Sequence, residues 1–442
     1  MLTQAHIIRG SQERDFLFFP ETFSLFAIPA GLSEPLSAEQ LGGKAEALLE
    51  REQQLQQRLG EPPPLPAAPT SLCLYLAQDC NLACSYCYND GGRAGGETLR
   101  MSSEVAQTAL RRFFTRPGES YALSFYGGEP LLNRQVLEQT LSFGESLARE
   151  RGFHLSFHMT TNATLIDDRV LPLLARFTTL TVSLDGPAEV HNRHRRGRNQ
   201  EATHSRVLAG LRALLALQGP RVTLKGTLTA EGAVHYRETA TYLNSLGAAA
   251  VGLTPVFAPP DHPAYIGDAA YSDYIQQHLA EYCDPESALE APMQHGEALE
   301  LISRILGRRR VHRHCHAGAD LAVAADGSLY ACHGLIGEET FRMGHVAEDT
   351  PGPDYKAVAS KFAGYGVKSA EPCQRCFARY LCGGGCYAHG HWLHKEPNRP
   401  DPRHCQLERR RLERVLAGLG EVLQNPARRK RLQDLIGTAA AT

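Results

Sequence analysis

The chain has 442 residues, a net charge of −2 and 43% hydrophobic residues, which gives two or three domains with ample core. The near-neutral balance speaks against a nucleic-acid or acidic membrane partner. No run of 18 apolar residues and no basic stretch leading into an apolar one occurs, so neither a membrane span nor a signal peptide is expected, and a soluble cytoplasmic protein follows.

Twelve cysteines need a reason. In the cytosol, clustered cysteines more often bind metal or act in catalysis than form disulfides. Ten fall into two groups. The first is Cys80, Cys84 and Cys87. The second is Cys315, Cys332, Cys373, Cys376, Cys382, Cys386 and Cys405. Cys73 and Cys283 stand apart and read as small buried hydrophobes.

In chain order, residues 1–68 read as a small unit. HIIRG and DFLFFPETFSLFAIP predict a β-hairpin, and LSAEQLGGKAEALLEREQQLQQRLG predicts a helix capped at Ser37. The proline-rich EPPPLPAAP at 61–69 reads as a stiff linker. From 69 to 262, strand-like runs (SLCLYLA, YALSFYG, HLSFHMTTN, TLTVSLDG, RVTLKGTLT, AAVGLTPVF) alternate with helical ones. That is the pattern of parallel βα units. Cys80, Gly127, Asn162, Ser183 and Asp185 all fall at C-terminal strand ends, where such folds place their sites. Residues 263–310 read as a helical bridge. Residues 311–410 are a cysteine-, glycine- and histidine-rich region organised by metal, and 411–442 a terminal, arginine-rich helix with a solvated face.

The stretch CNLACSYCY at 80–88 puts three thiols within eight residues, with no fourth ligand nearby. A closed zinc site needs four ligands; a four-iron cluster with one iron left open needs three from the chain. Spacing alone leaves both readings open. Downstream, YGGEP (126–130) sets two adjacent glycines after a strand, where backbone can approach a ligand without a Cβ in the way. TTN (160–162), SLDGP (183–187) and HNRHRRGR (191–198) follow.

Together these segments resemble the radical S-adenosylmethionine (SAM) enzymes. The resemblance implies a partial (β/α)6 TIM-like barrel and a [4Fe-4S] cluster on Cys80, Cys84 and Cys87 whose open iron chelates SAM. It implies cofactor contacts from Tyr86, Gly127, Gly128, Glu129, Asn162, Ser183 and Arg195. Tyr86 would lie near adenine, the GGEP segment near the methionine amine, and Ser183 and Arg195 at the carboxylate, with Arg193 and Arg196 as neighbours that leave the choice open by a residue. Reductive cleavage of SAM would then yield a 5′-deoxyadenosyl radical.

The second group runs Cys315, eleven residues, Gly327, four residues, Cys332, then Cys373-x2-Cys376-x5-Cys382-x3-Cys386, then Cys405. It resembles the SPASM domain, which implies two auxiliary [4Fe-4S] clusters. One would be held by Cys373, Cys376, Cys382 and Cys405. The other would use Cys315, Cys332 and Cys386, with its fourth ligand open to a substrate thiolate or to His312, His314, His316 or Cys283. The position six residues before Cys315, a cysteine in some relatives, is Arg309.

The span resembles radical SAM/SPASM peptide maturases, so a precursor peptide and an electron donor such as flavodoxin or ferredoxin are the expected partners. The expected reaction is an intramolecular crosslink (thioether, C–C or C–O) on a ribosomally made peptide. The alternatives are a sulfatase-maturing enzyme that oxidises Ser or Cys to formylglycine, and a non-catalytic iron–sulfur scaffold. Residues 1–68 resemble a shortened peptide-recognition element; a dimerisation arm or a lid fits equally.

Overall fold

The computed structural model describes residues 5–11, 13–32, 40, 45–59, 65–66, 68–93, 96–290, 296–348 and 353–439. Ser37, the expected cap, lies outside the described residues, as does most of the linker at 61–64 and 67. The chain forms two compact units. One comprises Met1–Pro64, Ile275–Cys315 and Gly364–Thr442; the other comprises Leu65–Tyr274 and His316–Ala363.

In the first unit, strands β1 (His6–Ile8), β2 (Arg14–Phe19) and β3 (Ser24–Pro29) form an antiparallel sheet in that order. The continuous apolar run of β2 is explained by burial on both faces. Phe16 and Phe18 join a core with Leu412, Val415, Leu416 and Leu419, while Leu17 and Phe19 pack with Ile7 and Ile28. Period-two alternation sends neighbours to opposite faces. The N-terminal segment, expected as a separate unit, therefore shares a core with the helix Pro402–Gln424.

That helix has the solvated face expected of it, with Arg409, Arg410, Glu413 and Arg414 exposed, and a buried face opposite. Leu412, Val415, Leu416, Leu419 and Val422 line one side of it and are fully buried. Beyond it, Asn425 and Pro426 break the run and a second helix, Pro426–Ala439, follows. Several arginines are paired, Arg414 with Asp284, Arg428 with Glu286 and Arg431 with Glu290.

In the second unit, six parallel strands follow one another in sequence order: β4 (Ser71–Ala77), β5 (Ser120–Gly127), β6 (His154–Thr161), β7 (Thr179–Ser183), β8 (Arg221–Leu228) and β9 (Ala250–Pro255). These are the six strands the alternation predicted. Three short strands extend the sheet beyond β4. They are β10 (Leu321–Val323), parallel to β4, then β11 (Ser328–Tyr330) and β12 (Arg342–His345), both antiparallel. The sheet thus runs β12-β11-β10-β4-β5-β6-β7-β8-β9, and the first three in this order come from the cysteine-rich region.

The two faces differ in chemistry. Leu72, Leu74, Leu123, Phe125, Phe157, Leu180, Val182 and Leu224 are buried on one. The helix Arg134–Arg151 lies on that face, since a Cβ on Gly144 would meet Leu155, Leu110 and Phe157 at 3.0–3.4 Å. The alternate residues of the other face are polar and half-exposed: Ser124, Tyr126, His158, Thr181, Ser183, Thr223 and Thr227. Register places Thr181 beside Thr223 and Ser183 beside Lys225. A parallel sheet covered on both faces would be apolar on both. This one keeps a row of polar residues on one face.

Candidate active site

The first cysteine loop leaves the C-terminal end of β4 and is pinned on two sides. On one, Ala83 N–H donates to Arg196 O (2.8 Å) and Ser85 N–H to His194 O (3.1 Å). On the other, the loop after β5 donates back to it, from Gly128 N–H to Ala77 O (2.8 Å) and from Glu129 N–H to Asp79 O (2.9 Å). This explains the glycine pair. Gly127 has φ +127° and a Cβ there would lie 2.4 Å from Ala77 O; one on Gly128 would lie 2.1 Å from Asp79 O. The close approach expected toward a ligand is an approach to the cysteine loop's own backbone.

Donors surround the thiols. Leu82 N–H points at Cys80 Sγ (3.4 Å), Gly91 N–H at Cys87 Sγ (3.4 Å), and Asn162 Nδ2 lies 3.8 Å from Cys80 Sγ. Arg195 Nη1 lies 4.0 Å from Cys84 Sγ. Burial pushes Cys80 up to about 12 and Cys84 up to about 11, with the neighbouring thiols adding to both and Arg195 opposing at Cys84. Three clustered thiols ringed by N–H donors and one guanidinium are a donor set suited to thiolates that share a cluster, so the residues fit an iron–sulfur group.

Glu129 was expected to touch the cofactor. Its carboxylate is fully buried and accepts from Leu131 N–H (3.1 Å), Thr161 Oγ1 (2.8 Å) and Asn162 N–H (2.7 Å). Burial raises its pKa while these donors oppose. It ties the end of β5 to the end of β6, and its oxygens are spent within the chain. Asn162 is similarly engaged: Nδ2 donates to Asn81 Oδ1 (2.9 Å) and Oδ1 accepts from Thr164.

Of the three arginines, Arg195 is the one in the site. Arg193 pairs with Glu231, and Arg196 donates to Gln200 O. Arg195 Nε donates to Asp185 Oδ1 at 2.9 Å, and its guanidinium lies 5.5 Å over the Tyr86 ring. Asp185 also accepts from the Tyr86 hydroxyl and from Thr227 N–H (2.9 Å). Tyr86 is thus oriented by its hydroxyl, with one ring edge near His194. Ser183 ends β7 on the polar face, half-buried.

Asp185 was noted only for its place at a strand end; its role as hub for Tyr86, Arg195 and β8 came from tertiary contacts. His191 was missed. Its Nδ1 accepts from Asp185 N–H (3.4 Å), so Nε2 carries the proton and faces Thr203 Oγ1 (3.1 Å); Thr203 in turn donates to Arg195 O. Burial lowers His191 to about 4, with Asp185 opposing. No spacing rule marks this histidine in HNRHRR.

The second cysteine group is placed as follows. Cys373, Cys376, Cys382 and Cys405 lie together in the first unit. Burial raises Cys373 to about 12, with Cys405 and Cys376 adding, and raises Cys405 to about 11, with Arg409 opposing and Cys376 adding. Cys315 and Cys386 belong to the same unit, and both Cys315 and Cys373 act on Tyr387, whose hydroxyl is raised first by burial. Cys332 follows β11 in the second unit, where His333 Nδ1 lies 4.0 Å from its sulfur.

Residues 74–230 match the model of the Radical SAM superfamily. The serine-type anaerobic sulfatase-maturating enzyme of Klebsiella aerogenes is 26% identical over 350 residues, covering 74% of this chain and 83% of that protein. The structure of native anSMEcpe with bound AdoMet and Cp18Cys peptide superposes with a TM-score of 0.65 at 19% identity, covering 84% of this chain and 99% of that one. Streptococcus suis SuiB bound to precursor peptide SuiA gives 0.52 at 14% identity, covering 91% and 99%. At these identities the structural likenesses establish a shared fold.

Proposed function

Because residues 74–230 are a radical SAM domain, we propose that the protein is an enzyme that uses S-adenosylmethionine and [4Fe-4S] clusters to modify a ribosomally made peptide oxidatively, forming an intramolecular thioether, C–C or C–O crosslink. The observation that carries this reading is the cysteine loop itself. Its three thiols are held with N–H donors at the end of β4, beside Arg195 and at the rim of a polar sheet face. When bound, the cluster and SAM supply one-electron cleavage and hydrogen-atom abstraction.

The chain's own residues bind and orient. Cys80, Cys84 and Cys87 would hold the SAM-binding cluster. Arg195, fixed through Nε by Asp185, keeps its terminal nitrogens for a carboxylate beside Cys84. Ser183 offers a hydroxyl on the same face, and Tyr86 a ring held in place by Asp185. Gly127 and Gly128 keep the two loops together, and Glu129 and Asn162 brace them from below.

Cys373, Cys376, Cys382 and Cys405, all in the first unit, would hold one auxiliary cluster, and Cys315 and Cys386 of that unit would contribute to the other. Of the residues considered for its fourth ligand, His316 faces Asp320 and Cys283 lies against His278, while His314 packs on His404 and His312 packs on Tyr380 with its Nδ1 buried and without a hydrogen-bond partner, so a substrate thiolate and His312 both stay open for that position. The sheet β1-β2-β3 has two edges, and a peptide added as a strand is one way to bind a leader. An external reductant of the flavodoxin or ferredoxin type, and a cytoplasmic setting, complete the proposal; no helix among the described residues is long and apolar enough to cross a membrane.

The sulfatase-maturating reading is favoured by the Klebsiella relative and shares the same SAM site. The two readings separate by mass spectrometry. Co-expression with short peptides encoded beside the gene should give a loss of two hydrogens with fragmentation blocked between two residues. Unmodified peptides with SAM still cleaved anaerobically would favour formylglycine formation on a protein. No 5′-deoxyadenosine at all would sink both.

A further inference from the structure

Outside the cysteine motifs, one set of side chains remains without a role. His278 near the end of the helix Asp268–Tyr282, Cys283 just beyond that end, and Glu297 in the first turn of the helix Gly296–Leu306 converge within the first unit. Their ligand atoms all lie within 4.8 Å of one another, and none of the ten motif cysteines belongs to the set. His278 Nε2 is 3.4 Å from Glu297 Oε2 and 3.8 Å from Cys283 Sγ; Cys283 Sγ is 4.0 Å from Glu297 Oε2.

We propose that His278, Cys283 and Glu297 bind a divalent transition-metal ion, zinc by its donor preferences, in a site separate from the iron–sulfur clusters. The triangle, with sides of 3.4, 3.8 and 4.0 Å, needs only a slight contraction to hold a metal ion. Bonds of about 2.0–2.3 Å at tetrahedral angles put ligand atoms roughly 3.3–3.8 Å apart. The donor set of one imidazole, one thiolate and one carboxylate is one that zinc accepts together. The charge balances as well: one thiolate and the carboxylates of Glu297 and Glu408, less the guanidinium of Arg411, leave two negative charges for a divalent ion. Arg411 Nη1 holds Glu297 Oε2 at 3.1 Å and also binds Glu408, which fixes the carboxylate in place.

A nucleophile triad does not fit these positions. A base relayed by a carboxylate would contact thiol and carboxylate through opposite ring nitrogens. Here both face Nε2. Cys283 is also fully buried, closed to a substrate. The Glu297 side chain is 45% exposed, so the set is reachable from solvent on that side.

The test uses the full-length chain with its iron–sulfur clusters reconstituted, so that the motif cysteines are occupied. The protein is exposed to zinc chloride, freed of loosely held metal by gel filtration, and analysed for zinc and iron. We expect about one zinc per chain, with X-ray absorption at the zinc edge showing one sulfur and otherwise nitrogen and oxygen neighbours. Cys283→Ala should lower retained zinc about tenfold or more with iron unchanged. His278→Gln and Glu297→Gln, closer in shape, read the same effect if the alanine variant does not fold. Absence of retained zinc in the parent protein, equal zinc in parent and variants, or a shell of two or more sulfurs would each overturn the proposal.

Discussion

Asp185 and Arg195 form the central ion pair of the site: Arg195 Nε donates to Asp185 Oδ1 at 2.9 Å, with the carboxylate 1% and the guanidinium 13% exposed. One carboxylate also receives the Tyr86 hydroxyl and the Thr227 amide. Three elements that are far apart in sequence therefore depend on a single side chain.

Asp185→Asn tests that dependence. Removing one partner of a buried pair leaves a desolvated charge and costs about 3 kcal/mol. The expected outcome is a lower Tm and SAM binding weakened by roughly tenfold or more, measured by calorimetry on cluster-loaded protein. Unchanged SAM affinity would mean that Arg195 does not need this anchor to present its terminal nitrogens.

Cys84→Ala removes one of the three thiols of the first group. Iron content should fall by about a third if three four-iron clusters are present, and formation of 5′-deoxyadenosine should cease. Full iron with retained cleavage would exclude this loop as the SAM-binding cluster site.

Gly128→Ala would place a methyl group 2.1 Å from Asp79 O, on backbone that cannot move aside cheaply. The loop after β5 must then separate from the cysteine loop. We expect iron loss confined to the first cluster and a lower Tm, whereas Gly252→Ala on β9, where nothing lies within 4 Å, should leave both unchanged.

His191 gives the site a pH dependence. Burial lowers its folded pKa to about 4 from 6.5, so its stabilising contribution is present above pH 6.5 and is lost as pH falls toward 4. Between pH 7 and 5 the loss amounts to roughly 2 kcal/mol. His191→Gln, which cannot take the extra proton, should flatten this part of the stability profile in urea unfolding. An equally steep profile in the variant would place the acid sensitivity elsewhere.

Some of this was written in the sequence because it depends on neighbours along the chain. The strand runs from SLCLYLA to AAVGLTPVF became β4–β9 because alternation of apolar and polar residues is local and sets which face each side chain takes. Spacing grouped Cys80, Cys84 and Cys87 as one candidate ligand set, since one loop carries all three, but did not choose between zinc and an iron–sulfur cluster. Other parts were not. Between β6 and β7 the helical element shrinks to one turn, Leu171–Leu174, after Asp167 turns the chain by accepting from Arg169 and Val170 amides.

What the sequence by itself determined is the alternation of strands and helices, the thiols of the first loop and the polar row of the sheet. Each is a property of short-range order. Only the tertiary structure decided that Arg195 rather than Arg193 or Arg196 lies beside Cys84, that Glu129 accepts from Thr161 and Asn162, that the GGEP glycines approach the backbone of Ala77 and Asp79, and that Cys283 meets His278 and Glu297. Those outcomes depend on which distant carboxylate, carbonyl or imidazole a group meets once the core has packed, and burial then fixes the pairing because a desolvated polar group must find a partner.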